Sequence, residues 1–437
     1  MKSSTPEPTR KSPAPTAPPG LSDAEWERIQ RMLPVDLEVT ARDSGALTRR
    51  RQVRCAADLL RIVLAYAVCD FSLRLLGVWC VLRGLGDLSD VALLKRVRGS
   101  QRWLGSLLVA VLRQRRLMLA GLPVVRLRLI DATVISQPGS TGTDWRVHLG
   151  LDLDALCFDA IEVTDAKGAE SLVRIAPDPH AIQIADCIYA YRRSLQTGLN
   201  LAAPLIVRLH WSNSCLTDAE GRRLDILGWL RCLPAAHHER RAWVGDTPLR
   251  LIAAALPAAA AARARQRVRR TASKKGYTPS QDSLDAAGWV LLVTNLAVAD
   301  YSLALCLALY RLRWQIELAI KRLKSVLDLA KLRAHDAQLA QSYLLAKLLA
   351  ALCLDEMTRR VGTPLDTWLG DEQRPLSAWR WTALAWEALR SSVRGPLTLA
   401  DVLAALPKLR RFLCDTPRRR RQHAAAARAW LASLVTC

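Results

Sequence analysis

The hydrophobic pattern along the chain switches between two periods. From Leu21 to about Leu119 apolar residues recur at helical spacing, and Ser89 and Asp90 are placed to cap a helix after the break at Gly84 to Asp87. This predicts a helical N-terminal module. At Val124 the period becomes alternation: Val-Arg-Leu-Arg-Leu-Ile runs into Asp131, then Val147 to Leu153 and Cys157 to Thr164 follow, predicting an antiparallel meander. A helix is expected from about Glu170, a strand at Ile182 to Ala185 leading into Asp186, a helix at Tyr189 to Gln196, and a fifth strand at Pro204 to His210.

Three strands, helix, strand, helix, strand is the order of a ribonuclease H-like α/β core. Between about Trp211 and Ala287 the order is lost. Charged turns and an alanine-rich run lead to Arg263, Arg265, Arg267, Arg269, Arg270, Lys274 and Lys275 with no acid among them, which reads as an insertion carrying a basic surface. Strand character returns at Trp289 to Thr294, and from Ser302 a long helix begins, with further helices to the end. The expected division is a disordered Pro-rich tail (1–20), a helical N-terminal module and candidate DNA binder (21–119), a catalytic domain (120–350) with the insertion at 211–287, and a helical C-terminal region suited to oligomerisation (351–437).

Composition narrows the partners. The formal charge is +23 over 437 residues, with Lys and Arg spread along the whole length, as a polyanion-binding surface requires, so nucleic acid is the expected partner. The clusters Arg49 to Arg51 and Lys95, Arg96 and Arg98 suit either DNA contact or a solvated helix face, and the Arg418 to Arg421 block reads as a solvated run. Eleven cysteines stand singly with no C-x-x-C pair, the usage of a reducing cytosol. Cys232 near His237 and His238 lacks a second cysteine at ligand spacing, so no structural zinc is expected. The apolar stretches around Arg61, Asp70 and Arg74 are broken by charge, and Leu251 to Ala262 falls short of the roughly 20 residues of a membrane span. A soluble cytoplasmic, nucleoid-associated protein is expected, with no membrane partner and no small-molecule cofactor.

Asp131 and Asp186 each end a predicted strand, and in the proposed sheet both carboxylates project from the same end of neighbouring strands. Convergent carboxylates bind divalent metals, and two metals roughly 4 Å apart activate the attacking oxygen and stabilise the leaving oxygen of a phosphoryl displacement. Oxygen ligands favour Mg2+. Tyr310, Arg313, Glu317 and Lys324 fall within about 60° of one another on an ideal helix, a stripe spanning roughly 21 Å. Leu312, Ile316, Ala319, Ile320 and Leu323 take the opposite face. Read without function, the aspartates are turn or capping residues and Arg313 and Glu317 an i,i+4 pair on a surface helix.

Tyr310-x2-Arg313-x3-Glu317-x6-Lys324 resembles the motif of the insertion-sequence-four family of DDE transposases, with all four residues at the family's spacing. It follows Ile130-Asp131-Ala-Thr and Ala185-Asp186-x-x-Tyr189 in the family's order, and Thr164-Asp165-x-x-Gly168-x-Glu170-Ser171 resembles the segment before the second aspartate. The likeness covers about residues 85 to 350. It implies that Asp131, Asp186 and Glu317 bind Mg2+, with Mn2+ as a substitute, and cut and rejoin DNA on a ribonuclease H-like fold. Tyr310, Arg313 and Lys324 would then hold phosphates of the transposon end, with Arg208 a further DNA contact. Trp289 lies in the segment where related enzymes carry a tryptophan that stacks on a flipped base; a core or sheet-edge tryptophan is the other reading. Partners would be the transposon ends and target DNA, with a dimer in the DNA complex. One departure stands out: the family has Asp-Arg-Gly-Tyr where this chain has Asp186-Cys187-Ile188-Tyr189. That change favours a catalytically decayed DNA-binding remnant or inhibitor; the intact triad argues against it. A third alternative is a ribonuclease H-like nuclease that cuts without joining.

Overall fold

A computed structural model describes residues 23–120, 126–369 and 377–396, with short pieces at 404–405 and 408–409. The Pro-rich tail at 1–20 and the Arg418 to Arg421 block lie outside the described residues. The N-terminal helices are α1 (Asp23–Arg31), α2 (Leu37–Asp43), α3 (Ala56–Val68), α4 (Leu73–Leu82), α5 (Asp90–Gly99) and α6 (Gln101–Ala120). The Ser89 side chain caps α5 by accepting from the Ala92 N–H, as its place after the glycine break predicts.

The centre of the molecule is a mixed sheet with the order β3-β2-β1-β4-β5-β8-β7-β6. β1 (Arg126–Ile135), β2 (Trp145–Asp152) and β3 (Cys157–Asp165) form the expected antiparallel meander. β4 (Ala181–Ala185) and β5 (Leu205–Arg208) then add in parallel, with α7 (Arg192–Asn200) between them. β1 does not end at Asp131: the strand continues to Ile135 along β2, and only its pairing with β4 stops, at Leu129 opposite Ile184. The helix expected from about Glu170 is absent, and turns lead from β3 to β4. Pro177 and Pro179 explain this, since each lacks an N–H and biases the residue before it away from helical geometry.

An ion pair locks the meander from within. Arg128 of β1 reaches across β2 to Asp159 of β3 at 2.8 Å, both side chains fully buried. The strand between them carries Gly150, where a Cβ would lie 2.7 Å from the Asp159 carboxylate and 3.2 Å from the Arg128 Nε. Glycine is required there for lack of space.

The expected loss of order over 211–287 is not observed. The segment holds α8 (Ile226–Cys232), a hairpin of β6 (His237–Val244) and β7 (Thr247–Ala255), α9 (Ala258–Lys274) and α10 (Gln281–Ala286). β8 (Trp289–Thr294) pairs with β5 on one side and β7 on the other, so the hairpin continues the central sheet. Arg250 of β7 fixes it further, pairing with Glu239 at 2.6 Å and donating to the Leu296 and Tyr301 carbonyls. The strands were obscured because β7 reads Leu-Ile-Ala-Ala-Ala, small residues that alternate in no visible way and run on into the alanines of α9.

The expected long helix is two, α11 (Leu303–Arg311) and α12 (Trp314–Ser325). At the junction the Leu312 and Arg313 amides donate to the carbonyls three residues back, tightening the turn. Ile316, Ala319 and Leu323 are buried as expected, but Leu312 is exposed. α13 (Ala337–Leu369) and α14 (Ala378–Arg394) follow. α13 packs on α3, α5, α6 and β3, and one apolar cluster runs from Leu60 and Trp103 through Leu344 and Leu348 to Leu129 and Val147 of the sheet. The N-terminal helices therefore share a core with the sheet, and the boundary expected at residue 350 falls inside α13. By length and composition Ala337–Arg359 could cross a membrane, a stretch passed over in the sequence, but most of it is buried inside this core.

Candidate active site

Extending the β1/β4 register by two residues brings Asp131 opposite Asp186, so the two aspartates are neighbours at the point where β4 ends. Each is held by a local bond. The Asp131 carboxylate accepts from the Ala132 N–H at 2.8 Å, and Asp186 accepts from the Ile188 N–H at 2.9 Å, capping the 3-10 turn Cys187–Tyr189. Ile188 is exposed and is not among the residues with positive φ, so the backbone after Asp186 does not need the glycine that the family carries there.

α12 packs against β1 and delivers the third carboxylate. Arg313, at the start of α12, donates to Asp131 at 3.3 Å and to Glu317 one turn along, joining the two acids through one guanidinium. Burial pushes the Asp131 carboxyl above the ordinary carboxylate range, and the nearby Asp186 and Glu317 push the same way, while the Ala132 N–H and Arg313 oppose them. Burial works against the charge of Arg313, but Tyr310, Asp131 and Glu317 hold its pKa above the usual arginine value.

Tyr310, Arg313 and Glu317 share a cavity of about 500 Å3 with Arg208, His237, Pro257 and Trp314. The Tyr310 hydroxyl is buried there without a hydrogen-bond partner. Lys324 lies two turns beyond Glu317, outside this cavity, and burial lowers its pKa. Arg208 is exposed at the end of β5. Trp289 is half-buried at the start of β8 and packs against the core beneath that strand. The indole open to solvent in the cavity that Glu317 lines is instead Trp314, which is 58% exposed.

Sequence reasoning assigned no role to Trp314 or Glu170. Trp314 directly follows Arg313, and that adjacency was the available signal. Glu170 pairs with Arg146 and lies close enough to Asp186 and Asp131 that, after burial, their charges raise its carboxyl pKa, with Arg146 opposing. The Tyr189 hydroxyl is buried without a hydrogen-bond partner near the same acids. The Gly168-x-Glu170-Ser171 segment carried the signal for this corner.

The donor set, Asp131, Asp186 and Glu317, is all carboxylate oxygen, which suits a hard divalent cation; of the three, Glu317 lines the cavity and Asp131 and Asp186 do not. As placed, no three His, Cys, Asp or Glu side chains among the described residues stand close enough to hold an ion. The cation between Asp131 and Glu317 is the Arg313 guanidinium.

Residues 125–353 match the family described as "Transposase DDE domain". The putative transposase of insertion sequence element IS186A from Escherichia coli (strain K12) is 41% identical over 352 residues, which cover 77% of this chain and 94% of that protein. The transposase of insertion sequence element IS421 from Escherichia coli is 41% identical over 353 residues with the same coverage. The piggyBac transposase, in its synaptic complex with hairpin DNA, aligns over 94% of this chain and 89% of its own with a TM-score of 0.41 and 11% identity, too loose a likeness to establish the fold.

Proposed function

This chain belongs to the DDE-domain transposases, and from that premise we propose that Asp131, Asp186 and Glu317 are its catalytic triad. The activity is DNA transposition, and the domain implies a divalent metal. The observation that supports the triad most directly is the register that sets Asp131 beside Asp186 while Arg313 ties Asp131 to Glu317 across the α12 contact. We assign the chain to the insertion-sequence-four branch on its Tyr310, Arg313, Glu317 and Lys324 spacing, and its core to the ribonuclease H-like fold on the strand order β3-β2-β1-β4-β5 with β4 and β5 parallel to β1.

The three carboxylates would hold Mg2+, which when bound would supply the charge that activates an attacking oxygen and stabilises a leaving oxygen at the scissile phosphate. The protein's own part is positioning. Arg313 has the planar fork that grips a phosphate once it leaves the carboxylates, and Tyr310 offers an unpartnered hydroxyl beside it. Arg208 extends the cationic wall of the cleft, and Lys324 is assigned to a more distant phosphate. Trp314, exposed at the cavity, is better placed than the half-buried Trp289 to stack on an unpaired base. DNA at the element's ends and at the target are the substrates, and synapsis of two ends calls for a dimer on DNA.

The test is cleavage and joining by purified protein with Mg2+ on DNA carrying the native flanks of the gene, against Glu317→Gln. The triad assignment requires both activities in the wild type and neither in the variant. DNA binding without cleavage in either protein would favour the remnant, and cleavage without joining the nuclease.

A further inference from the structure

We infer that α9 is a second DNA-gripping element, a ridge of four cations that follows the phosphate backbone of the duplex next to the catalytic cleft. Arg263, Arg267, Arg270 and Lys274 are all exposed. At 100° per residue they fall within about 60° of one another, on a line about 16 Å long. The opposite side of the helix holds it to the protein: Ala261 and Ala272 are buried, and Arg265 donates to the Leu284 carbonyl. The cations thus point directly away from the packing face.

A solvated helix face would carry both signs of charge. Elsewhere on this surface Arg28 pairs with Glu25, Arg222 with Asp218 and Arg359 with Glu356. On α9 no pairing is available, because the sequence holds no Asp or Glu between Asp246 and Asp282. The next acids, Asp282 and Asp285, are taken by Arg231. Among the described residues none of the four stripe cations has a salt bridge or hydrogen bond. Like charges at i,i+3 and i,i+4 oppose the helix, so the stripe is disfavoured in the free protein and relieved by a polyanion.

Position selects the polyanion. Leu256 and Pro257, immediately before α9, line the same cavity as Tyr310, Arg313 and Glu317. The stripe therefore starts roughly 9 Å along the helix from the wall of the cleft and extends over about half a turn of duplex DNA. Point contacts to phosphate carry no base information, so the stripe adds affinity and fixes orientation without adding sequence preference. This rests on the transposase reading for the substrate and on α9 itself for the contact.

The experiment measures binding of the full chain to two duplexes, one with the element's end and one unrelated, over a range of salt. The variant Arg263→Gln, Arg267→Gln, Arg270→Gln and Lys274→Gln should flatten the slope of log affinity against log salt by about 3 to 4 on both duplexes, at roughly 0.9 per phosphate contact. At about 0.15 M salt that is an affinity loss of roughly 10^2 to 10^3-fold. Because the stripe faces away from the core, the variant's melting temperature should not fall, and changing the three arginines to lysine should keep the wild-type slope. An unchanged slope in the glutamine variant, or a loss confined to one duplex, overturns the inference. Glu317→Gln separates the two readings: it should abolish cleavage, and combining it with the four-glutamine variant should still flatten the slope by about 3 to 4 relative to Glu317→Gln alone, so a failure of the triad and a failure of the stripe appear in different measurements.

Discussion

Replacing Arg313 by Gln should tighten metal binding while weakening catalysis. Without metal, the guanidinium neutralises two carboxylates, Asp131 at 3.3 Å and Glu317 one helical turn away. Arg313 and Asp131 are only 16% and 15% exposed, so water screens them poorly. A hydrogen bond to a charged group contributes about 1.5 to 3 kcal/mol net. A divalent cation entering between these acids must first displace the guanidinium, and that free energy is subtracted from its binding. With glutamine there, the competitor is gone and the carboxylates repel one another until the metal arrives. The dissociation constant for Mn2+ or Mg2+ should therefore fall by about 10 to 150-fold, at 1.4 kcal/mol per factor of ten. Titration calorimetry of both proteins without DNA measures this directly, and metal should raise the melting temperature more in the variant. Strand cleavage should nevertheless drop, because the arginine assigned to the phosphate is missing. Equal or weaker metal affinity in the variant would refute the competition and show that Arg313 supports the metal site.

Three further outcomes can be checked independently. Trp314→Ala should weaken binding to duplexes with an unpaired base at the element's end by about 1 to 3 kcal/mol, the worth of one stacked base, and Trp289→Ala should instead lower stability; competition binding and thermal melts separate the two. Gly150→Ala should cost about 1 to 3 kcal/mol in denaturant unfolding, because the added methyl meets the Asp159 carboxylate on which the Arg128 pair depends. His148 is fully buried, and burial together with Arg174 and Arg146 lowers its pKa to about 4. The unfolded chain, with the ordinary pKa near 6.5, binds a proton that the folded chain refuses, so stability is lost as pH falls from about 6.5 towards 4, by at most about 1.4 kcal/mol per pH unit. His148→Gln should flatten that part of the stability profile.

Legibility of the fold followed the strength of the periodic signal. The meander and the helical N-terminus were readable because β1 to β3 alternate and α3 to α6 carry regular apolar faces. Asp131 was taken for the end of a strand because apolar alternation stops there, yet backbone pairing with β2 continues whatever the side chains are. The hairpin of β6 and β7 was unreadable for the reverse reason: β6 is mostly exposed and charged, β7 ends in alanines, and β8, which pairs with β7 on its other side, comes only after α9 and α10. In the site, spacing put Tyr310, Arg313 and Glu317 on one face, because about two helical turns fix their relation even across the tightened junction. Trp314 and Glu170 were missed because the adjacency to Arg313 and the Gly168-x-Glu170-Ser171 segment mark their neighbourhood only, while their place in the site depends on how α12 and the β3–β4 turns fold onto the sheet.

Since β8 is hydrogen-bonded to both β5 and β7, the strands that place Asp131 and Asp186 and the insertion are parts of one plank. A surface loop carrying the same arginines could drift relative to the carboxylates. Here the sheet acts as a ruler, holding the base of α9 at a set reach from Asp131 and Asp186. Lengthening the link between β7 and α9 by a few residues would loosen the Leu256 N–H bond to the Gly288 carbonyl and let α9 sit at a different reach, shifting where the backbone is gripped relative to where it is cut, so the cleavage position should be sensitive to the length of that link.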